Sequence, residues 1–330
     1  VETNILEIMI FKDFYRQFFE KEEFKQTFMT GSGTMERLFN FMNVEDNLTF
    51  VNTDISGYDS FRARFVLHDC FEILKSNLRF LPGEENVFEF LREDFIFSHL
   101  ALPNGQCIKK ISGVPSGSFM TLLINTMANY VVQHTVLQLM QVNFYSTRLL
   151  GDDFAFTMAP IPTWEFDIFL DKYVNIIDSM FGFVVNPAKV VITNIVTSRK
   201  FIGYSVKQGK LWREEDEWFK MALYTEHGVK NLSQSFTRLM SIYFIGGCND
   251  TRFKSFVAYF CNGFDDALRE LGDEVLTKEA LYTGSMRMFK FVHNVDISQL
   301  EKISYTSFRN MIHQRISYFL TYQMPLAGIG

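Results

Sequence analysis

The chain has only four cysteines among its 330 residues. They are Cys70, Cys107, Cys248 and Cys261, and none forms a C-x-x-C pair. So sparse a set excludes a disulfide framework, and a reducing compartment is the default expectation. Long apolar runs are missing too: none reaches the roughly 18 residues that a membrane-spanning helix needs. No charged-then-apolar leader opens the sequence, and no Pro- or Ser-rich linker, low-complexity tract or internal repeat divides it. Charge is modest, with 32 basic and 38 acidic side chains giving a net −6. With 47% hydrophobic residues and 37 phenylalanines, the chain is too apolar to be disordered and long enough to bury a sizeable core. A net negative charge by itself weighs against a nucleic-acid partner. The charge is unevenly spread, however. Residues 1–100 hold 10 basic against 18 acidic side chains, whereas residues 181–330 hold 18 against 14.

Periodicity predicts a mixed architecture. Aromatic residues at helical spacing mark Lys12–Phe28, Gly31-Ser32-Gly33 breaks that segment, and a second helix covers Met35–Met42. Leu48–Thr53, rich in β-branched and aromatic residues, reads as a strand running into Asp54. Helix returns over Ser60–Leu78 and stops at Pro82-Gly83. Phe95–Phe97 and Cys107–Ile111 read as short strands joined across Pro103-Asn104-Gly105. A long helix over Ser118–Leu139 leads to a hairpin, Phe144–Leu150 and Phe154–Met158, turning at Gly151-Asp152-Asp153. A helix over Trp164–Met180 and strands at Phe183–Val185 and Lys200–Val206 follow, and beyond Trp212 the pattern is mostly helical. The fold class expected is α+β: an antiparallel sheet with helices on one face, then a helical domain.

Two adjacent carboxylates at a hairpin turn repel one another unless a cation neutralises them, although a solvated, inert turn is the plainer reading of Asp152 and Asp153 alone. Asp54, ending a separate strand, would supply a third oxygen ligand suited to magnesium. Asp59, five residues on, is placed either to cap the next helix or to serve the same site. Ser112–Ser118 is a glycine-bearing loop whose free N–H groups could approach a phosphate or base closely. Thr121 and Asn125 share one face of the helix that follows. Asn125 together with Asp59 is suited to reading a ribose hydroxyl, the group that separates RNA from DNA.

With these residues in view, the sequence resembles the palm of viral RNA-dependent RNA polymerases. Asp54-x4-Asp59 resembles motif A, Ser116-Gly117-x3-Thr121-x3-Asn125 motif B, and Gly151-Asp152-Asp153 motif C, in the usual order. Asn186-Pro187-Ala188-Lys189 resembles the lysine-bearing motif D, and Lys200–Tyr204 the motif E hairpin. Gly113–Thr121, and Ala222–Glu226 leading to Arg238, look most like partitivirus and picobirnavirus-type sequences of double-stranded RNA viruses.

The resemblance implies a right-hand palm followed by a helical thumb. Its implied parts are partial fingers at 1–47, palm at 48–79, a fingers or palm insertion at 80–111, palm again at 112–206 and thumb at 207–330. It also implies two Mg2+ ions, or Mn2+ in their place, held by Asp54, Asp152 and Asp153, with Lys189 protonating the leaving pyrophosphate. Asp59, Ser116, Gly117, Thr121 and Asn125 would bind the ribonucleoside triphosphate, and Phe201, Gly203 and Tyr204 the nascent RNA. RNA template, a viral capsid protein, and the host cytoplasm inside the virus particle complete the implied setting. Nothing before Asp54 resembles the basic fingers motif that holds the triphosphate, so the expectation is an N-terminally incomplete polymerase. A reverse transcriptase shares the palm but is disfavoured by Gly151 and by the Asn125–Asp59 pair. An inactive RNA-binding remnant is the alternative that is not an enzyme.

Overall fold

Strand Thr49–Thr53 lies inside a four-stranded antiparallel sheet, between Asp153–Met158 and Val191–Thr193, with Phe144–Leu150 beyond the former. The structure, a computed structural model, describes residues 2–29, 34–44, 47–60, 63–111, 113–224, 228–244, 246–272, 305–306 and 308–310. Gly31–Gly33, Ser112 and Thr225–Glu226 lie outside the described residues, as does most of the segment beyond 272. Two compact units divide the chain: residues 1–29 with 42–202, and residues 30–41 with 203–330.

In the first unit the sheet is built from residues whose branched or aromatic side chains suit a covered, pleated surface. Phe50, Val51, Phe154, Ala155 and Phe156 are all buried. The helix Thr121–Leu139 contains no Asp, Glu, Lys or Arg and is apolar almost all round, which suits a helix enclosed by protein. It packs against the helices Arg64–Asn77 and Phe166–Phe181 and against the hairpin strand Phe144–Leu150. The N-terminal helix Glu2–Glu20 lies along the helix Glu84–Phe97, with the rings of Phe11 and Phe88 5.7 Å apart.

Two sequence expectations shift. The first helix begins at Glu2 and ends at Glu20, with a separate turn of helix at Glu22–Lys25. Phe95–Phe97 is not a strand but the end of the helix Glu84–Phe97, because Phe88, Leu91 and Phe95 form one buried helical stripe. The strands of that small hairpin are His99–Ala101 and Cys107–Lys109, with Leu100 opposite Ile108.

The second unit contains a hairpin, Tyr204–Lys207 and Lys210–Trp212, whose turn residues Gln208 and Gly209 both have positive φ (51° and 66°). That is the turn whose twist matches paired strands. Helices Glu215–Leu223, Leu232–Phe244, Thr251–Gly263 and Asp265–Leu271 follow. Asp250 caps the third of these by accepting from the Phe253 N–H at 2.7 Å. Trp218, buried, sets its ring against Tyr204 and Phe253.

Phe201 is 0% and Tyr204 1% exposed, so the rings of both residues expected to contact the nascent RNA pack in the core. Gly203, with φ +79°, has the Arg213 side chain at the place where a Cβ would be. Among the described residues, no helix is long and apolar enough to cross a membrane.

Candidate active site

Strand register brings the carboxylates together. Thr53 pairs with Phe154, so extending the antiparallel register by one residue sets Asp54 opposite Asp153. Leu150 pairs with Asp153, leaving Gly151 and Asp152 as a two-residue turn with Gly151 at φ +59°. Glycine at the first turn position is what such a hairpin requires, and it puts Asp152 at the tip.

The turn is held from the helix Thr121–Leu139. Thr126 Oγ accepts from the Gly151 N–H at 3.0 Å, while Asn129 Nδ2 donates to the carbonyls of Gly151 at 3.0 Å and Asp153 at 3.4 Å. Both side chains are buried. Sequence reasoning missed these two, although a signal was there: Asn125, Thr126, Asn129 and Gln133 recur at helical spacing among apolar residues in a helix without a charged side chain, and all four are buried. Buried polar groups on such a helix must find partners, and these anchor a turn. Thr126→Val leaves the Gly151 N–H buried without an acceptor and is expected to cost about 1–3 kcal/mol, with Thr126→Ser much milder. Chemical denaturation of both variants checks this.

Electrostatics at the tip are strained by like charge. Crowding by protein raises the Asp152 carboxyl above the ordinary aspartate range, the charges of Asp59 and Asp54 add to the rise, and Lys189 opposes it. Lys189 Nζ lies 3.3 Å from Asp54 Oδ2. The Asn186–Lys189 turn that carries it is fixed by the Asn186 N–H donating to the Asp54 carbonyl at 3.0 Å. Hard carboxylate oxygens with a partly compensated charge suit magnesium chemically. Yet among the described residues no three acidic, His or Cys side chains converge closely enough to form a finished metal cage. The donors are of the kind a divalent cation takes, and in this structure Lys189 Nζ is the cation beside Asp54.

Beside this tip, Asn125 Nδ2 donates to Asp59 Oδ1 at 3.1 Å. Asp59 is not a helix cap: the next helix starts at Arg64, its N-cap position is Ala63, and no side chain caps it. Tyr58, stacked on Phe183, donates its hydroxyl to the Asn125 carbonyl at 3.0 Å and locks that turn of helix. Asn125 Oδ1 is buried and has no partner among the described residues. Thr121 is turned away, donating to the Pro115 carbonyl at 2.6 Å. Ser116 and Gly117 are exposed at the crest of the loop.

This arrangement, a hairpin carboxylate turn beside a strand-end aspartate and an Asp–Asn pair, defines a polymerase palm. In fold the chain is similar to the RNA-dependent RNA polymerase of a human picorbirnavirus, with a TM-score of 0.64 at 14% identity, over 96% of this chain and 60% of that one. An insertion-loop deletion mutant of that enzyme gives 0.60 at 16% identity, over 78% and 51%. The sequence model for viral RNA-dependent RNA polymerases matches residues 1–260, and the chain belongs to that family. Among curated relatives, the non-structural polyprotein 1AB of Human astrovirus-4 is 26% identical over 185 residues, which is 53% of this chain and 12% of that one. The RNA-directed RNA polymerase of White clover cryptic virus 1 is 25% identical over 135 residues, 40% of this chain and 22% of that one. The matched regions thus span a quarter or less of these curated relatives' lengths.

Proposed function

We propose that the chain carries the nucleotide-adding centre of an RNA-templated RNA polymerase, extending an RNA 3′ end from ribonucleoside triphosphates and releasing pyrophosphate. The observation that carries this is the strand register setting Asp54 against the Gly151–Asp153 turn, with the Asp59–Asn125 pair beside it. Asp54, Asp152 and Asp153 would hold two Mg2+ ions, which supply, when bound, activation of the attacking hydroxyl and neutralisation of the leaving pyrophosphate. Lys189, set on Asp54 at 3.3 Å, is within reach of the same region and would give its proton to the leaving group once another cation occupies that carboxylate. Asp59, held by the Asn125 amide at 3.1 Å, offers acceptors to ribose hydroxyls, and Asn125 binds the ribonucleotide with it. RNA template, nascent RNA and the triphosphates are the partners of this reading. A capsid protein, and action inside the virus particle in the host cytoplasm, go with the family resemblance.

Primer extension on a pre-annealed RNA template, with the complete polypeptide that carries these residues, tests the proposal. Mg2+-dependent incorporation of ribonucleotides is expected. Preference for deoxynucleotides would instead identify a reverse transcriptase, and binding of RNA without incorporation an inactive remnant.

A further inference from the structure

One buried carboxylate joins the N-terminal helix to the loop that bears Ser116 and Gly117. Glu7 is 3% exposed. It accepts from Ser118 Oγ at 2.8 Å and from the Phe119 N–H at 2.8 Å. Ser118 Oγ in turn accepts from the Met120 N–H at 3.0 Å. Asn4, three residues earlier on the same helix, donates Nδ2 to the Gly117 carbonyl at 3.1 Å.

The helix that follows the loop has no capping side chain of its own at Met120. Free amides at a helix start need acceptors, and a local Ser, Thr, Asp or Asn ordinarily provides one. Here the local Ser118 Oγ takes the Met120 N–H, and Glu7, an anion 111 residues away, holds that serine and the Phe119 N–H beside the positive end of the helix dipole. A local cap would stabilise the helix alone. A carboxylate supplied by the N-terminal helix also fixes the loop relative to that helix. Burial pushes the Glu7 carboxyl above the ordinary glutamate range, and the Ser118, Phe119 and Met120 donors pull it back.

The other end of the loop is fixed as well. Lys110 Nζ donates to the carbonyls of Phe95 at 2.6 Å and Gly113 at 2.9 Å, and the Val114 N–H donates to the Asp59 carbonyl at 2.9 Å. Between the two clamps Ser116 and Gly117 are exposed, and Gly117, at φ +96°, has open space around it. The loop is therefore pinned at both ends and exposed at its crest.

We propose that Glu7, assisted by Asn4, is a positioning residue for nucleotide addition: it latches the Gly117–Met120 end of the loop to the N-terminal helix, and so sets the geometry in which Ser116 and Gly117 meet the incoming ribonucleotide. The inference rests on the polymerase reading given above. Glu7 touches no reacting atom and acts through the loop. Without the latch the crest loses one fixed end, so selection of the sugar suffers along with the rate.

The test compares kcat/KM for a ribonucleotide and the matching deoxynucleotide in the complete polypeptide, for the parent, Glu7→Ala, Glu7→Gln and Lys12→Ala. Lys12 is exposed on the same helix and serves as the control. In Glu7→Ala the ribo-to-deoxy ratio is expected to fall on the order of tenfold, as misplacement of a positioned substrate does. Glu7→Gln keeps the volume and one carbonyl acceptor, so it falls between Ala and the parent, while Lys12→Ala leaves the ratio unchanged. A merely structural role would lower the active fraction and leave the ratio alone. Should Glu7→Ala fail to fold, Glu7→Gln decides the matter. An active parent whose Glu7 variants retain its ratio overturns this inference and leaves the polymerase reading standing. A parent that incorporates neither nucleotide overturns the polymerase reading, and this inference with it.

Discussion

Asp152→Asn is expected to abolish nucleotide incorporation, with a loss of about 1,000-fold or more, equivalent to roughly 4 kcal/mol of transition-state stabilisation. The substitution is nearly isosteric, so the turn held by Thr126 and Asn129 survives it. What is lost is the charge at the hairpin tip. In metal-free protein the stability change has the opposite sign. Crowding and the charges of Asp59 and Asp54 raise the Asp152 carboxyl, so its ionised form disfavours the native state, and removing that charge stabilises the fold slightly.

The same argument fixes two pH dependences. A carboxyl raised in the folded state contributes stability that is fully present below its unfolded value and is lost as pH rises through the folded one. Metal-free protein therefore gains stability from this group on acidification, between the raised value and the ordinary aspartate range. Activity runs the other way on the two-metal reading, because protons would compete with the cation for Asp152, so it falls on acidification. Thermal melts in chelator and primer-extension rates across pH 4–8 check both slopes. An Asp152→Asn protein that incorporates nucleotides at the parent rate would remove Asp152 from the centre.

The second large effect is expected at Gly113. A Cβ there would lie 2.6 Å from the Asp59 carbonyl oxygen, and φ is +88°. Gly113→Ala therefore costs both a left-handed conformation that alanine avoids and a backbone displacement. Together these are worth about 2–4 kcal/mol, or a fall in Tm of roughly 5–10 °C. The displaced atom belongs to Asp59, whose carbonyl accepts from Val114 and whose carboxylate accepts from Asn125. Ribose discrimination should fall with stability. Gly117→Ala is the internal comparison: φ is +96°, but nothing lies within 4 Å of the added Cβ. It carries the conformational cost alone, about 1 kcal/mol. Equal melting temperatures for the two variants would remove the close approach to Asp59 as a cause.

What could be read from the sequence was local. The Gly151-Asp152-Asp153 hairpin is a short-range pattern of alternating strands around a turn glycine, and Asp54 follows a β-branched run, so each announces its own element. Their meeting depends on register between distant strands, which the order of the motifs implied and no local pattern contains. Phe95–Phe97 shows why some elements were misread: three apolar residues in a row fit a strand, and only the buried stripe with Phe88 and Leu91 makes them helix. Glu7, Thr126 and Asn129 escaped because each acts on backbone groups more than 20 residues away. Phe201 and Tyr204 were assigned by resemblance of sequence, which does not foretell that both rings are buried.

The pairing of Thr49–Thr53 with Asp153–Met158 has a consequence for the order of folding. The hairpin Phe144–Met158 closes on itself and can form within about 1–10 μs. The strand ending at Asp54 joins it only after a loop of roughly a hundred residues has closed, an entropic cost paid before any contact rewards it. Asp152 therefore exists on a nascent hairpin well before Asp54 arrives beside it. Because Asn186 and Lys189 attach to Asp54 from still later in the chain, the complete set of charges assembles only with the whole unit. During synthesis a ribosome must have released the chain past Lys189 before these contacts can form, so a nascent fragment ending earlier lacks the cation beside Asp54.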